Sequence, residues 1–264
     1  MIPKSVTKVL MLVLFFYFPL NSMAWGMLGH RIVGQIADSY LTPKAKMAIS
    51  KILGDETIGM ASTWADFIKS DSNFAYVSPW HYINIDSGLS RQTVLKFLDK
   101  DTAVDAYTKI NFLVKQLKNK KLPHADKVFY LRLLIHIVGD VHQPLHVGRL
   151  EDLGGNKIKV SWFFASSNLH RVWDEQLINF QQLSFTEYAT AINHTTALER
   201  QELQKQNIQL WIYDSYKTVE KIYADAKSDD KFDYRYNFKF IDTVNKQLLK
   251  GGVHLAGLLN QIFG

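Results

Sequence analysis

The chain has 264 residues, 47% of them hydrophobic and 21% charged, with a formal net charge of +6. That composition excludes a disordered or collagen-like chain and leaves room for one large core. Cysteine is absent, which excludes disulfides and thiolate metal sites and leaves histidine, carboxylate and main-chain groups as possible metal ligands.

Residues 1–24 read as an export signal. Lys4 and Lys8 form a positive start, VLMLVLFFYFPL an apolar centre, and Ser22-Met23-Ala24 a small-x-small cleavage site. The apolar run is too short to span a bilayer comfortably, so cleavage after Ala24 is expected, with Trp25 as the mature N-terminus. Loss of Lys4 and Lys8 takes the net charge from +6 to +4, enough for mild attraction to anionic substrates but not for a protein that coats nucleic acid. Residues 25–264 suit a single domain.

The mature chain reads as mainly α, with one β signal. Apolar residues at helical spacing predict a helix over 29–40, and Pro43 opens a second one in the manner of a first-turn proline, running to Leu53. A short helix over 61–69 carries Asp66. The aromatic and β-branched stretch VSPWHYINID is expected to be extended or loop. Two long helices follow, over 91–118 and 125–141. Gln143-Pro144 ends the second and places His146 in the turn beyond it. DLGGNKIKVSWFF combines a Gly-Gly turn with an alternating tail, the pattern of a small β-hairpin. A new helix begins around His170 and carries Asp174. Amphipathic helices over 185–206, 208–226 and 241–262 complete the chain, their charged faces read as solvated surface.

The chemistry concentrates in His136-xxx-Asp140-x5-His146 and in a second HxxxD pair, His170 and Asp174. Residues four apart on a helix share a face, so each pair can grip one cation, and imidazole with carboxylate is a donor set suited to first-row divalent metals, zinc above all. Taken alone, an i,i+4 His/Asp pair is more often an ion pair than a metal site. The apolar surroundings in LLIHIVGDV argue otherwise, because a buried Asp needs a partner and a cation is the strongest available. Further candidates are His30 in the opening Trp25-Gly-x-x-Gly-His, Asp66 in ASTWAD, and His81 in PWHYIN fifteen residues later.

Trp at the cleaved terminus with His five positions on, an Asp-x14-His pair, the HxxGDxHQPLH block, a GGN turn and a closing HxxWD occur here in order. In this set the chain strongly resembles the zinc-dependent single-strand nucleases and 3'-nucleotidases of the S1/P1 family, over essentially the whole mature chain. The resemblance implies a single-domain, multi-helix phospholipase C/nuclease-type fold with a cluster of three Zn2+ ions. By analogy Asp66, His81, His136 and Asp140 hold one zinc. The Trp25 amino and carbonyl groups, His30 and a shared Asp140 hold the second. His146, His170 and Asp174 hold the third. The α-amino group, with a pKa of about 7.7–8.0, yields its proton to a metal more readily than lysine does.

The implied reaction is in-line hydrolysis of single-stranded DNA, RNA and 3'-nucleotides to 5'-phosphate products. A hydroxide bridging the paired zincs attacks phosphorus, with Asp66 and the bridging Asp140 as catalytic carboxylates and Asp66 orienting or deprotonating the water. Tyr82 is a candidate to stack a splayed base and Asn156 to bind phosphate, although core packing and turn capping are the ordinary uses of such residues. Trp80, Trp162, Phe163 and Phe164 are further aromatic candidates for which packing is the common role.

Two departures stand out. Asn84 lies where the fungal and plant enzymes commonly have Asp, which bears on base preference and pH optimum. The absence of cysteine favours an exported bacterial enzyme, secreted or periplasmic. No stable protein partner and no membrane attachment after cleavage are implied, and a monomer is expected. His124, His142, His194 and His254 are assigned to structure or surface, with His142 a candidate outer-shell partner. The alternatives are a zinc phospholipase C, whose third zinc uses HxxxE where this chain has His170 and Asp174, and a non-catalytic zinc-binding protein.

Overall fold

The computed structural model describes residues 25–264; the expected signal and its cleavage site lie outside them. Helices dominate. The first, α1 (Met27–Ser39), buries Ile32, Val33, Ile36 and Ala37, and α2 (Pro43–Leu53) starts with Thr42 capping the Ala45 N–H and proline in the first turn. The region expected as one helix over 61–69 is α3 (Ile58–Ala61), α4 (Trp64–Phe67) and a 3-10 turn, Ile68–Ser70. A longer 3-10 run, Ser72–His81, follows, started by the Asp71 side chain, which accepts the Asn73 N–H; it takes in 77–81, the first half of the stretch expected to be extended or loop. Only beyond it does the backbone extend, with the N–H groups of Ile83 and Ile85 donating to the carbonyls of His146 and Gly148.

The expected single helix over 91–118 is two, α5 (Arg91–Lys100) and α6 (Ala106–Leu117). Asp105 breaks it: its side chain accepts the Thr108 N–H while Thr108 returns a bond to the Asp105 N–H, a reciprocal cap that starts α6 afresh. The first N–H of α6, on Ala106, then donates to the Tyr82 carbonyl and ties the helix to the segment after His81.

Asp105 is buried. Burial and the neighbouring Asp101 push its carboxyl from the usual 3.8 up to about 7. The folded chain therefore holds this proton more tightly than the unfolded chain. The contribution is most favourable below pH 4 and is lost as pH rises to about 7. Asp105→Asn keeps a good capping residue and removes the charge. It is expected to raise the melting temperature at pH 8 relative to wild type and to narrow that gain at pH 5, as thermal melts at the two pH values would show.

The centre of the molecule is α7 (His124–Asp140). From Leu133 to Asp140 every residue is buried, so the helix has little amphipathic character and is packed on all sides. It packs against α1, α6 and the last helix, α13 (Tyr234–Phe263), which is capped by Asp233 and starts at Tyr234, seven residues before the expected position. After α7, Gln143 and Pro144 lead into a 3-10 turn, Pro144–Val147.

The hairpin is β1 (Lys159–Trp162) antiparallel to β2 (Ala165–Asn168), joined at Phe163-Phe164. A two-residue strand, β3 (Lys231–Phe232), adds to β1 in parallel, with Ser161 opposite Lys231; nothing in its sequence marks it. Then come α8 (Leu169–Arg171), a π turn (Val172–Gln176), α9 (Leu177–Asn179), α10 (Phe185–Ile192), α11 (Ala197–Lys205) and α12 (Ile208–Asp225). The break between α10 and α11, within the expected helix over 185–206, is made by Thr196, whose capping box with Glu199 repeats that of Ser184 with Glu187. No helix among the described residues is long and apolar enough to cross a membrane.

Candidate metal centre

Eight His and Asp side chains from separate parts of the chain meet beside the C-terminal end of α7. His30 lies in the first turns of α1, Asp66 on α4 and His81 at the end of its 3-10 run. His136 and Asp140 occupy the last turns of α7, His146 the turn beyond, and His170 and Asp174 lie on α8 and the π turn. Their donor atoms form three groups, His30–Asp66–His136, His81–His136–Asp140 and His146–His170–Asp174, each within 4.8 Å. The first two share His136 and lie either side of Asp140. One Asp140 oxygen is 3.3 Å from His30 Nε2, and the other is 2.9 Å from His81 Nδ1 and 3.3 Å from His136 Nε2. In the third group His170 Nε2 is 2.9 Å from Asp174 and His146 Nε2 3.8 Å from it.

The surrounding backbone orients the rings. His136 Nδ1 meets the Ser62 carbonyl, His146 Nδ1 that of His81, and His170 Nδ1 that of Gly154, each at 2.6 Å. A ring that donates from Nδ1 presents Nε2 as a lone pair, and in all three Nε2 faces the cluster. His30 stacks on His136 with ring centroids 3.8 Å apart and planes 20° from parallel. The space for it exists because residue 139 is glycine: a Cβ there would lie 2.8 Å from His30 Nδ1.

Trp25 is fully buried nearby, its indole reaching Gly139, and the Gly26 N–H donates to the Asp174 carbonyl at 2.9 Å. The start of the described chain is thereby tied to the third group.

Several polar atoms here are buried without a hydrogen-bond partner: both ring nitrogens of His30, Nε2 of His81 and His146, Oδ2 of Asp66 and Oδ1 of Asp140. Buried unsatisfied groups are costly, and so many in one place call for a ligand. Electrostatics agree. Burial pulls His30 and His136 down to about 4 and lowers His81 and His146 well below the usual value. Burial also pushes Asp140 up to about 8, against the opposing pull of His136 and Lys69, and raises Asp174. Burial would raise Asp66 too, but His136, Lys69 and His30 outweigh it and hold the carboxyl at about 2. Neutral imidazoles facing carboxylates, in a pocket that resists bare charge, fit divalent cations of the kind nitrogen and oxygen ligands hold.

Three residues were not anticipated from sequence. Lys69 pairs with Asp66 at 2.7 Å, both side chains largely buried; its i+3 spacing on a short helix was the available signal. Gln143 donates to Asp174 while its side-chain oxygen accepts the Leu145 N–H at 2.6 Å, so it braces the turn carrying His146. Gly154 supplies the carbonyl for His170 and has φ +61°. A Cβ on Gly154 would press into the Leu145 carbonyl oxygen. Gly154→Ala is expected to displace that loop and weaken metal binding at the third group about 10–100-fold, the usual effect of disturbing outer-shell partners, while the first two groups keep theirs. Metal titration of the purified variant measures it.

The aromatic and polar candidates divide. Tyr82 is 42% exposed beside His81, open to a ligand. Trp80 is buried edge-on against Phe112 and Trp162 against Phe163 and Phe180, so both serve packing, whereas Phe164 is fully exposed at the hairpin tip. Asn156 donates to the Leu153 carbonyl at 2.8 Å, a turn-capping bond. His142 does not reach the centre. Two residues past Asp140 it has swung about 200° round the helix axis, and its ring bonds the Val138 carbonyl and His254 at 2.7 Å each, close to Trp211.

Fold and site define a mainly helical protein with a buried His/Asp centre able to hold several divalent cations. The family model for S1/P1 nuclease matches residues 25–264. The chain is 30% identical to endonuclease 2 of Arabidopsis thaliana over 98% of its own length and 97% of the relative's, and 30% identical to endonuclease 3 of the same plant over 92% and 90%. Nuclease P1 of Penicillium citrinum is 27% identical, covering 91% of this chain and 98% of the fungal one. The chain belongs to the S1/P1 nuclease family and is a hydrolase of the phosphodiester-cleaving kind.

Proposed function

We propose that this protein is an exported endonuclease that cuts single-stranded DNA and RNA and removes phosphate from 3'-nucleotides, using three zinc ions held by Trp25, His30, Asp66, His81, His136, Asp140, His146, His170 and Asp174. The observation that carries this reading is the convergence of eight His and Asp side chains, seven of them buried, with His30, Asp66, His81, Asp140 and His146 each leaving at least one buried polar atom without a hydrogen-bond partner. Family membership points the chemistry towards nucleic acid and away from phospholipids. Residues 25–264 act as one nuclease domain, freed by removal of residues 1–24, and cleavage matters because it exposes the Trp25 amino group as a ligand.

Asp140 serves both of the groups it stands between, one oxygen towards His30 and the other towards His81 and His136. His146, His170 and Asp174 form the separate third corner. Bound zinc supplies Lewis acidity and lowers the pKa of water to around 7. Asp66, held ionised with its carboxyl at about 2, orients the attacking water, whose proton passes to solvent. Water oxygen bonds to phosphorus as the bond from phosphorus to the 3' oxygen breaks; the 3' oxygen takes up a proton from solvent and leaves as a hydroxyl, and the phosphate stays on the 5' side. Lys69 adds positive charge beside Asp66 that draws the phosphodiester towards the centre. Tyr82 stacks a base that single strands can splay and a duplex cannot.

The test is product analysis. Mature protein with zinc is expected to degrade single-stranded DNA to fragments with 5'-phosphate and 3'-hydroxyl ends, and to leave phosphatidylcholine intact. Lipid hydrolysis without DNA cleavage would overturn the assignment.

A further inference from the structure

On α12, Tyr216, Glu220 and Tyr223 stand at i, i+4 and i+7 and so share a face. Together they stitch two loops that leave the metal centre. The Tyr216 hydroxyl accepts the Leu89 N–H at 2.7 Å and meets the Asp86 carbonyl at 3.1 Å. Glu220 accepts the Gly88 N–H at 2.8 Å and pairs with Arg149 at 3.6 Å. Those contacts hold the loop that follows His81. The Tyr223 hydroxyl accepts the Arg149 N–H at 3.3 Å and donates to Asp152 Oδ1 at 2.9 Å, with the Arg149 guanidinium 4.0 Å over its ring.

The second loop, 148–157, follows His146 and has an unusual backbone. Leu153, Gly154 and Gly155 take φ values of 55°, 61° and 81° in succession. Leu153 is not glycine and gains nothing locally from that conformation, so the loop needs outside support to keep its shape. Tyr223 supplies it through Asp152: the same Oδ1 that accepts from the Tyr223 hydroxyl accepts the Gly155 N–H at 2.7 Å. The next carbonyl back, on Gly154, receives His170 Nδ1 at 2.6 Å. An unbroken series of short bonds therefore runs from the Tyr223 hydroxyl through Asp152 and Gly155 to the ring of His170.

We propose that Tyr223 is a positioning residue for the His146–His170–Asp174 corner. Its hydroxyl sets the place of the Gly154 carbonyl, and with it the tautomer and direction of the His170 ring. Packing alone would need only the ring, which Arg149 already covers. The hydroxyl is the part that reaches the loop. This inference rests on the reading that the corner holds a metal ion.

The experiment is titration of metal-free wild type, Tyr223→Phe and Tyr216→Phe with Zn2+ against a chromophoric chelator, with thermal melts of each metal-free protein. Tyr223→Phe is expected to weaken one zinc equivalent about 10–100-fold, to leave the others unchanged, to melt close to wild type when metal-free, and to regain activity in excess zinc. Tyr216→Phe, which leaves the 148–157 loop tied, is expected to keep wild-type affinity at all equivalents. If Tyr223→Phe binds every equivalent as wild type does, or weakens all of them together with a lowered melting temperature, the positioning role is wrong. If wild type itself takes up no zinc, the metal-centre reading fails first, so the two failures are distinct.

Discussion

Asp140→Asn is expected to abolish nuclease activity while leaving a folded chain that carries less zinc. Asp140 is the carboxylate between two groups, with one oxygen 3.3 Å from His30 and the other within 3.3 Å of both His81 and His136. An amide is a poor metal ligand and carries no charge. Losing several kcal/mol of Lewis-acid stabilisation, at about 1.4 kcal/mol per tenfold, lowers the rate by about 10³-fold or more. Folding should survive, because burial holds the Asp140 carboxyl protonated up to about pH 8 in the metal-free chain, and asparagine matches that neutral form in shape. Activity assays, metal analysis and a thermal melt of the metal-free variant check the three parts. Normal turnover would remove Asp140 from the mechanism. A metal-free variant that cannot fold would show that the carboxyl matters for packing as well.

Removing the metal is expected to cost stability as well as activity. The chain has no disulfide, and its centre concentrates buried polar atoms with no partner of their own. A cation that binds only the folded state adds about 4 kcal/mol when present at about 1,000 times its Kd. At about 2–4 °C per kcal/mol for a chain of this size, one such site corresponds to about 8–16 °C in melting temperature. Treatment with EDTA should lower the melting temperature by at least that much and abolish cleavage, and added zinc should restore both. A melting temperature unmoved by EDTA, with activity intact, would mean that the buried His and Asp side chains satisfy one another without a cation.

Much of this arrangement was legible in the sequence, for identifiable reasons. The pairs His136/Asp140 and His170/Asp174 are local, and four-residue spacing puts each on one side of a helix. The mainly helical character follows from apolar periodicity, and the hairpin from the Gly-Gly turn ahead of an alternating tail. His30, Asp66 and His81 come from distant segments, and only the family resemblance joined them to α7. What could not be read is mostly backbone. The carbonyls of Ser62, His81 and Gly154 that orient the imidazoles are main-chain groups, and no residue type marks which carbonyl a ring will meet. The π turn carrying Asp174 and the two-residue strand β3 have no residue signature.

The break between α5 and α6 was readable but missed. Apolar periodicity runs almost unbroken over 91–118, and the capping signal of Asp105 with Thr108 was the feature to weigh against it. His142 is the opposite case: it is structural, as assigned, and only the outer-shell role suggested for it fails. Closeness in sequence placed it near the cluster, while helix geometry turned it towards His254.

The most direct test of the proposed three-zinc centre is the metal content of the purified chain starting at Trp25, measured by inductively coupled plasma mass spectrometry after dialysis against metal-free buffer. Such a centre requires about three zinc ions per chain. A chain that cleaves single-stranded DNA with one zinc ion or none would contradict it.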